Sequence, residues 1–365
     1  MNVRIAKRAA VAAGVAVLSL GLALPVAQAD PTTDSITGSS YRELVGVGSD
    51  TTQDVLNGLG NAIGDPDFSP ASLLIASYDA VDPSTGAVHG SITTRDGGPA
   101  VQRPNGSAEG VNALAADIQS GAGNFDFARS SSAPDATGTT GTWIPFALDA
   151  VTVAVSGSST LPTNFTKTQL QRAYNCEDPT TGTALAAGQF PVINGVTVHP
   201  LVPQAGSGTR KFWASTLGFN ANTLPSCVSD VDKDGVAVEE HDGSALKRTV
   251  AANGAEDIAP FSIAQWIAQS NSSTTGVRDR RHGAVLRSVD SKLPVVNGEL
   301  NTAFGITRDV YNVVATSRLA DADIAYAFVG TGSQVCLNSA VIEEYGFGSL
   351  GSACGSTTTK GALSL

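Results

Sequence analysis

Three short loops carry the residue types and the spacing that bind anions in proteins. Each combines glycines, which let the backbone approach a ligand closely, with Ser or Thr hydroxyls, and each precedes a segment that favours a helix. Backbone N–H groups in the first turn of a helix lack intrahelical partners and attract negative charge. Three such loops on one chain predict a single oxyanion that is bound from several parts of the fold. We call them the first, second and third Gly/Ser loops, residues 46–52, 105–110 and 204–210.

The segments around the Gly/Ser loops alternate between apolar strands and helices. The apolar runs 41–47, 73–78 and 144–155 indicate strands, whereas 50–63 and 110–120 favour helices. This alternation is typical of a mostly parallel sheet flanked by helices, so the predicted fold class is α/β. A second set of elements follows the last of these strands and includes the third Gly/Ser loop, which predicts a second domain.

The first 29 residues have the pattern of a secretory signal peptide. Basic residues precede an apolar run, and Ala27 and Ala29 form a small-x-small motif, so we expect cleavage near Ala29. No cysteine follows the apolar run, so there is no lipobox, and the predicted location is secreted or extracellular. The formal net charge of −11 becomes more negative when the basic leader is removed, which argues against nucleic acid and anionic lipid surfaces as partners.

The length and the cysteines bound the architecture. A chain of 365 residues usually divides into two domains. Secretion favours disulfides, and three pairings of the four cysteines exist; we favour Cys176–Cys227 and Cys336–Cys354 because each closes a local loop. A metal site at the cysteines is the weaker alternative, since the chain has no Cys-x-x-Cys spacing and its four histidines are scattered.

Taken in order, the Gly/Ser loops resemble those of the phosphate-binding proteins of ABC importers, within the type II periplasmic-binding-protein superfamily. The similarity runs from about residue 41 to about residue 350. The first loop stands at the family's Gly-x-Gly-x-Thr, and Ser107 matches the serine of its Gly-Ser-x-x-Gly. The family's Ser-Gly-Thr falls on Ser207, Gly208 and Thr209.

The resemblance implies a two-lobed α/β fold with mostly parallel sheets flanked by helices and two hinge crossings. The first lobe would be discontinuous, residues 30–148 plus 304–365, and the second lobe would span residues 149–303. The ligand would lie in the cleft between the lobes, and closure about the crossings would bury it. Such a protein is not an enzyme and needs no cofactor; an ABC permease would be its partner, and we expect a monomer.

Three positions depart from the family's pattern and bear on the ligand. Ser132 stands where the family has the aspartate that accepts the proton of hydrogen phosphate, Pro203 stands at its arginine, and Asp50 stands at its threonine. Loss of the acid removes the family's device for rejecting sulfate. Arg129 and Arg210 lie close enough in sequence to supply the missing positive charge.

The candidate ligand-binding residues combine the loop residues with these two arginines. As alternatives to ligand binding, the hydroxyls could cap helices or form polar turns, and the arginines could be exposed on the surface. The candidates are Ser49, Asp50, Thr51, Ser107, Arg129, Ser132, Ser207, Gly208, Thr209 and Arg210.

A further pattern resembles the first half of an EF-hand calcium loop. Asp230, Asp232 and Asp234 occupy ligand positions and a glycine follows at the sharp turn, but His241 stands where a bidentate glutamate is needed. A structural calcium ion at the three aspartates is one hypothesis, and a solvated acidic loop is the alternative. His241 could also face the cleft, although no spacing argument supports this.

These features together predict a secreted solute-binding protein that captures a small oxyanion, first of all inorganic phosphate, for ABC-type import. A secreted adhesion or matrix protein on the same fold is the alternative that the departures and the missing lipobox favour. A secreted hydrolase is the second alternative, but the chain has no Gly-x-Ser-x-Gly motif and no pair of histidines at metal-ligand spacing.

Overall fold

A computed structural model describes residues 30–68, 72–246 and 254–363. The predicted signal peptide, residues 1–29, lies outside the described residues. Within them, no helix combines the length and the apolar character that a membrane span requires. The lobes are named below by the residue ranges predicted from the sequence.

The strands are short except for two long ones. They are β1 (Leu44–Gly48), β2 (Ile75–Ser77), β3 (Ser91–Thr93), β4 (Ala100–Gln102), β5 (Phe127–Ser130), β6 (Gly141–Val155), β7 (Asn164–Phe165), β8 (Val192–Ile193), β9 (Val196–Pro200), β10 (Glu256–Ser262), β11 (Val285–Leu286), β12 (Ser288–Val289), β13 (Val295–Val296), β14 (Glu299–Leu300), β15 (Thr307–Ala315) and β16 (Lys360–Gly361).

Helices connect these strands. They are α1 (Gln53–Ala62), α2 (Ser107–Ser120), α3 (Lys167–Tyr174), α4 (Gly208–Leu217), α5 (Ile263–Ser270), α6 (Ser272–Thr275), α7 (Ala322–Phe328), α8 (Gln334–Leu337) and α9 (Ser339–Glu344). Single turns of 3₁₀-helix occur at Asp50–Thr52, Gly243–Leu246, Thr316–Arg318 and Gly351–Ala353.

Among the described residues, a ten-stranded sheet runs through both lobes. Its order is β2-β1-β5-β15-β6-β10-β9-β8, with β11 and β16 also paired to β6. β1 pairs in parallel with β2 and β5 in the first lobe, and β9 pairs in parallel with β10 in the second. Helices connect the parallel strands, as right-handed crossovers require. The predicted α/β fold class is confirmed.

Two antiparallel strands, β6 and β15, cross between the lobes. β6 is 15 residues long. Its first part pairs with β15, and its last part, from Val151, pairs with β10 of the second lobe. All its residues are buried except the half-buried Leu148, because both faces of the strand are covered. The strand begins at Gly141, three residues earlier than the apolar run indicates, because Gly141 and Thr142 pair with both β15 and β16.

Apolar side chains form separate cores in the two lobes. Leu56 and Leu59 of α1 are fully buried in the first lobe, and Trp213 of α4 is fully buried in the second. Helix α5 lies within the residue range of the second lobe, yet its Ala264 and Ala268 belong to the core of the first. α5 therefore packs against both cores, beside the crossing strands.

Both predicted disulfides are present. Cys176–Cys227 joins the end of α3 to the segment that follows α4, and Cys336–Cys354 joins α8 to the C-terminal 3₁₀-turn. Each bridge closes a loop within one lobe, so neither restricts a movement of one lobe against the other.

Candidate anion-binding site

The second and third Gly/Ser loops meet face to face between the lobes. The backbone N–H of Ala108 donates to the carbonyl of Gly206 at 3.2 Å. A side chain added to Gly208 would overlap the hydroxyls of Ser107 and Ser131, so a larger residue here would displace both hydroxyls. We call this contact surface between the two lobes the seam.

Helix N-termini from both lobes lie at the seam. α2 begins at Ser107 and α4 begins at Gly208, and the 3₁₀-turn at Asp50–Thr52 leads into α1. Gly106 precedes α2 with a φ of +120°, a conformation that L side chains rarely adopt. The sequence therefore brings the N-termini of several helices, with their positive dipole ends, to one place, as the glycines in the loops predict.

Thr51 and Thr209 face each other at the centre of the seam. Thr51 belongs to the first lobe and Thr209 to the second, and their hydroxyl oxygens are 3.4 Å apart. Neither residue has any exposed surface. The candidate residues Thr51 and Thr209 are therefore neighbours in space, although 158 positions separate them in the chain.

The guanidinium of Arg308, on crossing strand β15, joins the two threonines. Its Nη2 donates to Thr209 Oγ1 at 2.9 Å and lies 3.3 Å from Thr51 Oγ1. Its Nη1 donates to the carbonyl of Ser131 at 3.1 Å. One buried cation on a hinge strand thus contacts loops of both lobes.

Asp149 holds Arg308 in this position. It is the register partner of Arg308 on the other crossing strand, and its Oδ2 accepts from Nε at 2.9 Å and from Nη2 at 2.8 Å. Its Oδ1 accepts from the Ser262 hydroxyl and from the N–H of Ala264 at the start of α5. Asp149 is fully buried and satisfied, so it acts as the counter-ion that positions the guanidinium.

His241 completes the group as a neutral hydrogen-bond donor. Its Nδ1 accepts from the backbone N–H of Ser262 at 3.3 Å, so the ring proton is on Nε2, which lies 3.0 Å from Thr51 Oγ1. Burial holds the pKa of His241 well below its usual value of 6.5, and the charges of Arg308 and Arg280 lower it further. The ring therefore stays uncharged at neutral pH.

The two threonine hydroxyls have more protons to donate than acceptors around them. Thr51 Oγ1 accepts from His241 and Arg308, and Thr209 Oγ1 accepts from Arg308. Each hydroxyl also carries one proton, and the long Thr51–Thr209 contact can use only one of the two. At least one hydroxyl proton therefore has no acceptor among the described residues and is free to donate to a bound group.

Glu240 brings a carboxylate to the same helix end. It is 1% exposed, and its Oε1 accepts from the backbone N–H of Thr209 at 2.9 Å. Its Oε2 has no hydrogen-bond partner among the described residues. A negative charge here repels a fully ionised anion, whereas the open oxygen can accept a proton that an anion carries.

Ser49 also presents an unpartnered polar atom. The residue has no exposed surface, and its hydroxyl has no partner among the described residues. It precedes the 3₁₀-turn that leads to α1, but its side chain makes no capping bond there. A buried hydroxyl without a partner is costly, so Ser49 fits a ligand contact better than a structural cap.

Asp50 pairs with a cation of the other lobe. Both of its carboxylate oxygens accept from Arg280 Nη2, at 3.1 and 3.0 Å. Burial raises the pKa of Asp50 to about 7, although the Arg280 guanidinium opposes the effect. The side chain thus forms a bridge across the seam.

Arg129 and Arg210 have their hydrogen bonds within single lobes. Arg129 lies on β5 and donates to the carbonyls of Gly46, Gly48 and Ser49. Burial lowers the pKa of Arg129 to about 10, which leaves it charged at neutral pH. This geometry gives no support to Arg129 as a source of charge for the ligand; it holds the first Gly/Ser loop in place.

Arg210 holds the second lobe in the same way. Its guanidinium donates to the carbonyls of Ala221 and Pro203 and to the carboxylate of Asp230. Ser207 caps α4, since its hydroxyl accepts from the N–H of Arg210 at 2.9 Å. The contacts thus support the alternative role of Ser207 as a helix cap. Arg129 and Arg210 are buried, so neither is the exposed side chain of the alternative.

Of the remaining candidates, Ser107 lies in the seam and Ser132 lies beside it. The Ser107 hydroxyl accepts from the Ser131 N–H at 3.0 Å and lies 3.2 Å from the Ser131 hydroxyl. Ser132 lines three cavities, one of which also adjoins Gly208.

The aspartates of the EF-hand-like loop do not converge. Asp230 pairs with Arg210, and Asp232 Oδ1 accepts from the N–H groups of Asp234 and Val236, closing an ordinary turn. Within the described part of the chain, no group of three or more His, Cys, Asp or Glu side chains is placed to hold a metal ion. The calcium hypothesis gains no support from this arrangement.

The sequence analysis missed Arg308, Asp149 and Glu240, and it named His241 without an argument. Arg308 lies four residues after residue 304, where the predicted first lobe resumes. Asp149, the one charged residue in the apolar run 144–155, was the available signal, because a charged residue inside an apolar strand is buried and needs a partner.

Comparison with known proteins finds similarity in structure alone. No protein-family model and no curated protein matches the chain. Among solved structures, it is similar to a putative phosphate ABC transporter substrate-binding protein from Clostridium perfringens, solved with bound phosphate. The identity is 14% and the TM-score is 0.49, with 84% of this chain and 99% of the other covered.

Two further structures show similarity over the same extent. An ABC-type phosphate transport receptor from Vibrio cholerae is 15% identical, with a TM-score of 0.47 and coverage of 84% and 99%. PstS from Borrelia burgdorferi is 17% identical, with a TM-score of 0.40 and coverage of 85% and 99%. The residues of the site are therefore assigned from the contacts of this chain.

Proposed function

We propose that the protein is a secreted solute-binding protein that captures a small oxyanion at the seam, with inorganic phosphate as the first ligand. The proposal rests on one observation above all. Arg308 contacts Thr51 of one lobe and Thr209 of the other, and these hydroxyls are left with a proton to donate. An oxyanion between the lobes would accept from both threonines and from the guanidinium.

Capture would proceed by exchange of hydrogen bonds. Thr51, Thr209 and Arg308 now bond to one another, so an entering anion replaces the contacts between the lobes with its own. Movement about β6 and β15 would open and close the site, because these strands alone carry the sheet across it in the described residues. No covalent step and no cofactor are needed.

Glu240 supports phosphate over sulfate as the ligand. Phosphate carries a proton near neutral pH and can donate it to the open Glu240 Oε2. Sulfate carries no proton at that pH and would meet the carboxylate as a like charge. In this proposal, Glu240 of the second lobe accepts the proton of hydrogen phosphate. The family's aspartate has this role, and Ser132, which stands at its position, has no carboxylate.

Delivery to an ABC permease completes the proposal. It rests on the loop motifs and their order, which resemble those of the phosphate-binding proteins of ABC importers. A permease that accepts the protein would have to contact both lobes, since the relative position of the lobes is what ligand capture changes.

The first test is calorimetric titration of phosphate and, in parallel, sulfate into protein that has been unfolded and refolded to remove carried ligand. We expect micromolar or tighter binding of phosphate and much weaker binding of sulfate. Equal binding of the two anions would overturn the role of Glu240. Binding of neither would overturn the oxyanion proposal itself.

Two variants locate the site. Thr209→Val keeps the shape of the side chain and removes the hydroxyl, so phosphate binding should weaken by about 1–3 kcal/mol. Thr180→Val, at an exposed position remote from the seam, is the matched control. Glu240→Gln should bind sulfate more tightly than the wild type does, which narrows the difference in affinity between phosphate and sulfate. An unchanged ratio of the two affinities would count against the role of Glu240 as a proton acceptor.

A further inference from the structure

A cavity of about 390 Å³ lies beside Arg308, between the two lobes. Its walls come from residues 131–133 of the first lobe, from α4 of the second lobe and from β15. Cavities that take organic ligands measure about 300–1,000 Å³, and a water molecule accounts for about 30 Å³ of liquid volume. The space beside the anion site is therefore much larger than an inorganic oxyanion requires.

One end of the cavity offers a free cationic donor. Arg308 has five N–H bonds, and Nε and Nη2 direct theirs to Asp149 and the two threonines. Nη1 donates one N–H to the carbonyl of Ser131, a residue of the cavity wall. The second N–H of Nη1 has no acceptor among the described residues, so an anionic group at this end would be bound by charge and hydrogen bond.

The middle of the cavity is apolar. Phe212 of α4 and Leu148 of β6 face it, and the Arg308 guanidinium lies 5.4 Å from the centre of the Phe212 ring. Both apolar side chains are only half-buried. A short carbon chain bound there would remove apolar surface from water, which inorganic phosphate cannot do.

The third wall carries a carboxylate without a partner. Asp309 lines the cavity, is half-buried, and makes no hydrogen bond or ion pair with any described residue. Burial raises the pKa of Asp309. A hydroxyl or ammonium group at the far end of a ligand would satisfy this carboxylate.

We propose that the site binds small organic phosphomonoesters whose organic part carries a hydroxyl or ammonium group. The phosphoryl group would contact Arg308 and the two threonines, the carbon chain would lie against Phe212 and Leu148, and the donor would meet Asp309. This inference rests on the proposed capture of an oxyanion at the seam and specifies which oxyanions the cavity favours.

Titrations of four ligands into the refolded protein test it. The probes are inorganic phosphate, phosphoethanolamine, glycerol 3-phosphate and n-propyl phosphate, of which the last has a carbon chain but no terminal donor. We expect phosphoethanolamine and glycerol 3-phosphate to bind about tenfold more tightly than n-propyl phosphate, the effect of one hydrogen bond to a charged group. Asp309→Asn should reduce this preference and leave the affinity for inorganic phosphate unchanged.

A second variant tests the cavity by filling it. Ser215 is exposed on α4 and lines the cavity, so Ser215→Phe should exclude the organic part of the esters and spare inorganic phosphate. Thr216→Phe adds the same ring on the same helix at a residue that does not line the cavity, and serves as the control.

The outcomes separate this inference from the proposed function. Binding of inorganic phosphate without binding of any ester would overturn the inference and leave phosphate capture intact. An equal loss of phosphate and esters in Ser215→Phe would also overturn it. Binding of no probe at all would instead reject the proposed function on which it rests.

Discussion

Two buried arginines illustrate the difference between the interior of a lobe and the seam between lobes. Arg129 lies inside the first lobe, and its hydrogen bonds go to the carbonyls of the first Gly/Ser loop and to the Ser77 hydroxyl. Arg308 lies on a crossing strand, and its hydrogen bonds reach both lobes. Burial and charge are alike in the two residues; what differs is whether their partners can move apart.

This difference predicts which property each region controls. The contacts of Arg129 persist whenever the first lobe is folded, so they contribute to the stability of that lobe. The contacts of Arg308 to Thr209 form only when the lobes are together. They therefore contribute to the equilibrium between open and closed lobes, which ligand binding shifts. Substitutions in the two regions should therefore separate stability from affinity.

The largest effect is expected from Arg308→Ala. The change removes the guanidinium that an anion would contact from both lobes, so phosphate affinity should fall by about 3–4 kcal/mol. Calorimetric titration measures the loss, and Arg278→Ala, at an exposed arginine, is the control. A loss below tenfold would mean that the helix ends bind the anion without Arg308.

Arg129→Leu should give the opposite result. Carbonyls of the first Gly/Ser loop lose their buried donor, so the free energy of unfolding should fall by about 3 kcal/mol, as when a buried hydrogen-bond network is broken. Denaturant unfolding measures this change. The phosphate affinity of the folded variant should stay close to that of the wild type, and a large loss of affinity with unchanged stability would contradict the comparison.

The bridge between Asp50 and Arg280 should show a coupling in affinity. It joins the lobes, so a double-mutant cycle with Asp50→Asn and Arg280→Gln should give an interaction energy of about 1–2 kcal/mol for phosphate binding. The pair Arg318–Asp321, which lies within the first lobe, should give none in the same measurement. Equal coupling energies in the two cycles would show that the seam has no special role.

The smallest effect concerns pH. The pKa of His241 is lower in the folded protein than in the unfolded chain, so the unfolded chain binds more protons below pH 6.5. The free energy of unfolding should therefore fall as the pH drops through this window, by up to about 1.4 kcal/mol per pH unit. The stability contributed by neutral His241 is fully present above pH 6.5 and is lost as the pH falls below that value. Denaturant unfolding at several pH values measures this change.

His241→Asn provides the reference for that measurement. Asparagine tolerates the left-handed backbone of this position, where φ is +53°, and it does not titrate. The contributions of the other titrating groups cancel when the free energy of unfolding of the variant is subtracted from that of the wild type at each pH. A difference that stays constant between pH 5 and pH 7 would show that the buried ring does not exclude the proton.

The parts of the molecule that the sequence predicted are those that local patterns determine. The glycines and hydroxyls of each Gly/Ser loop are contiguous, so their position at helix N-termini followed from the residues alone. The fold class and both disulfides are confirmed, because alternating elements and short cysteine separations leave few arrangements.

The rest of the site depends on contacts that no local pattern contains. Asp149 and Arg308 are 159 positions apart and meet because β6 and β15 pair in one register. Arg129 is close in sequence to Ser132, and Arg210 lies in the third Gly/Ser loop, yet their side chains turn into their own lobes. Proximity along the chain could not distinguish an arginine that reaches the seam from one that points into its own lobe. The direction of a side chain is fixed by the sheet and not by the loop beside it.

The position of β15 in the sheet also determines the order in which the lobes can be completed during synthesis. β15 lies between β5 and β6, although the chain makes it after the entire second lobe. Until residues 307–315 have emerged, β5 and the first part of β6 each present an open strand edge, and such edges pair readily with other chains. A newly made chain must therefore keep a half-built first sheet from aggregating while its second lobe is already complete, and rapid arrival of β15 shortens that exposure.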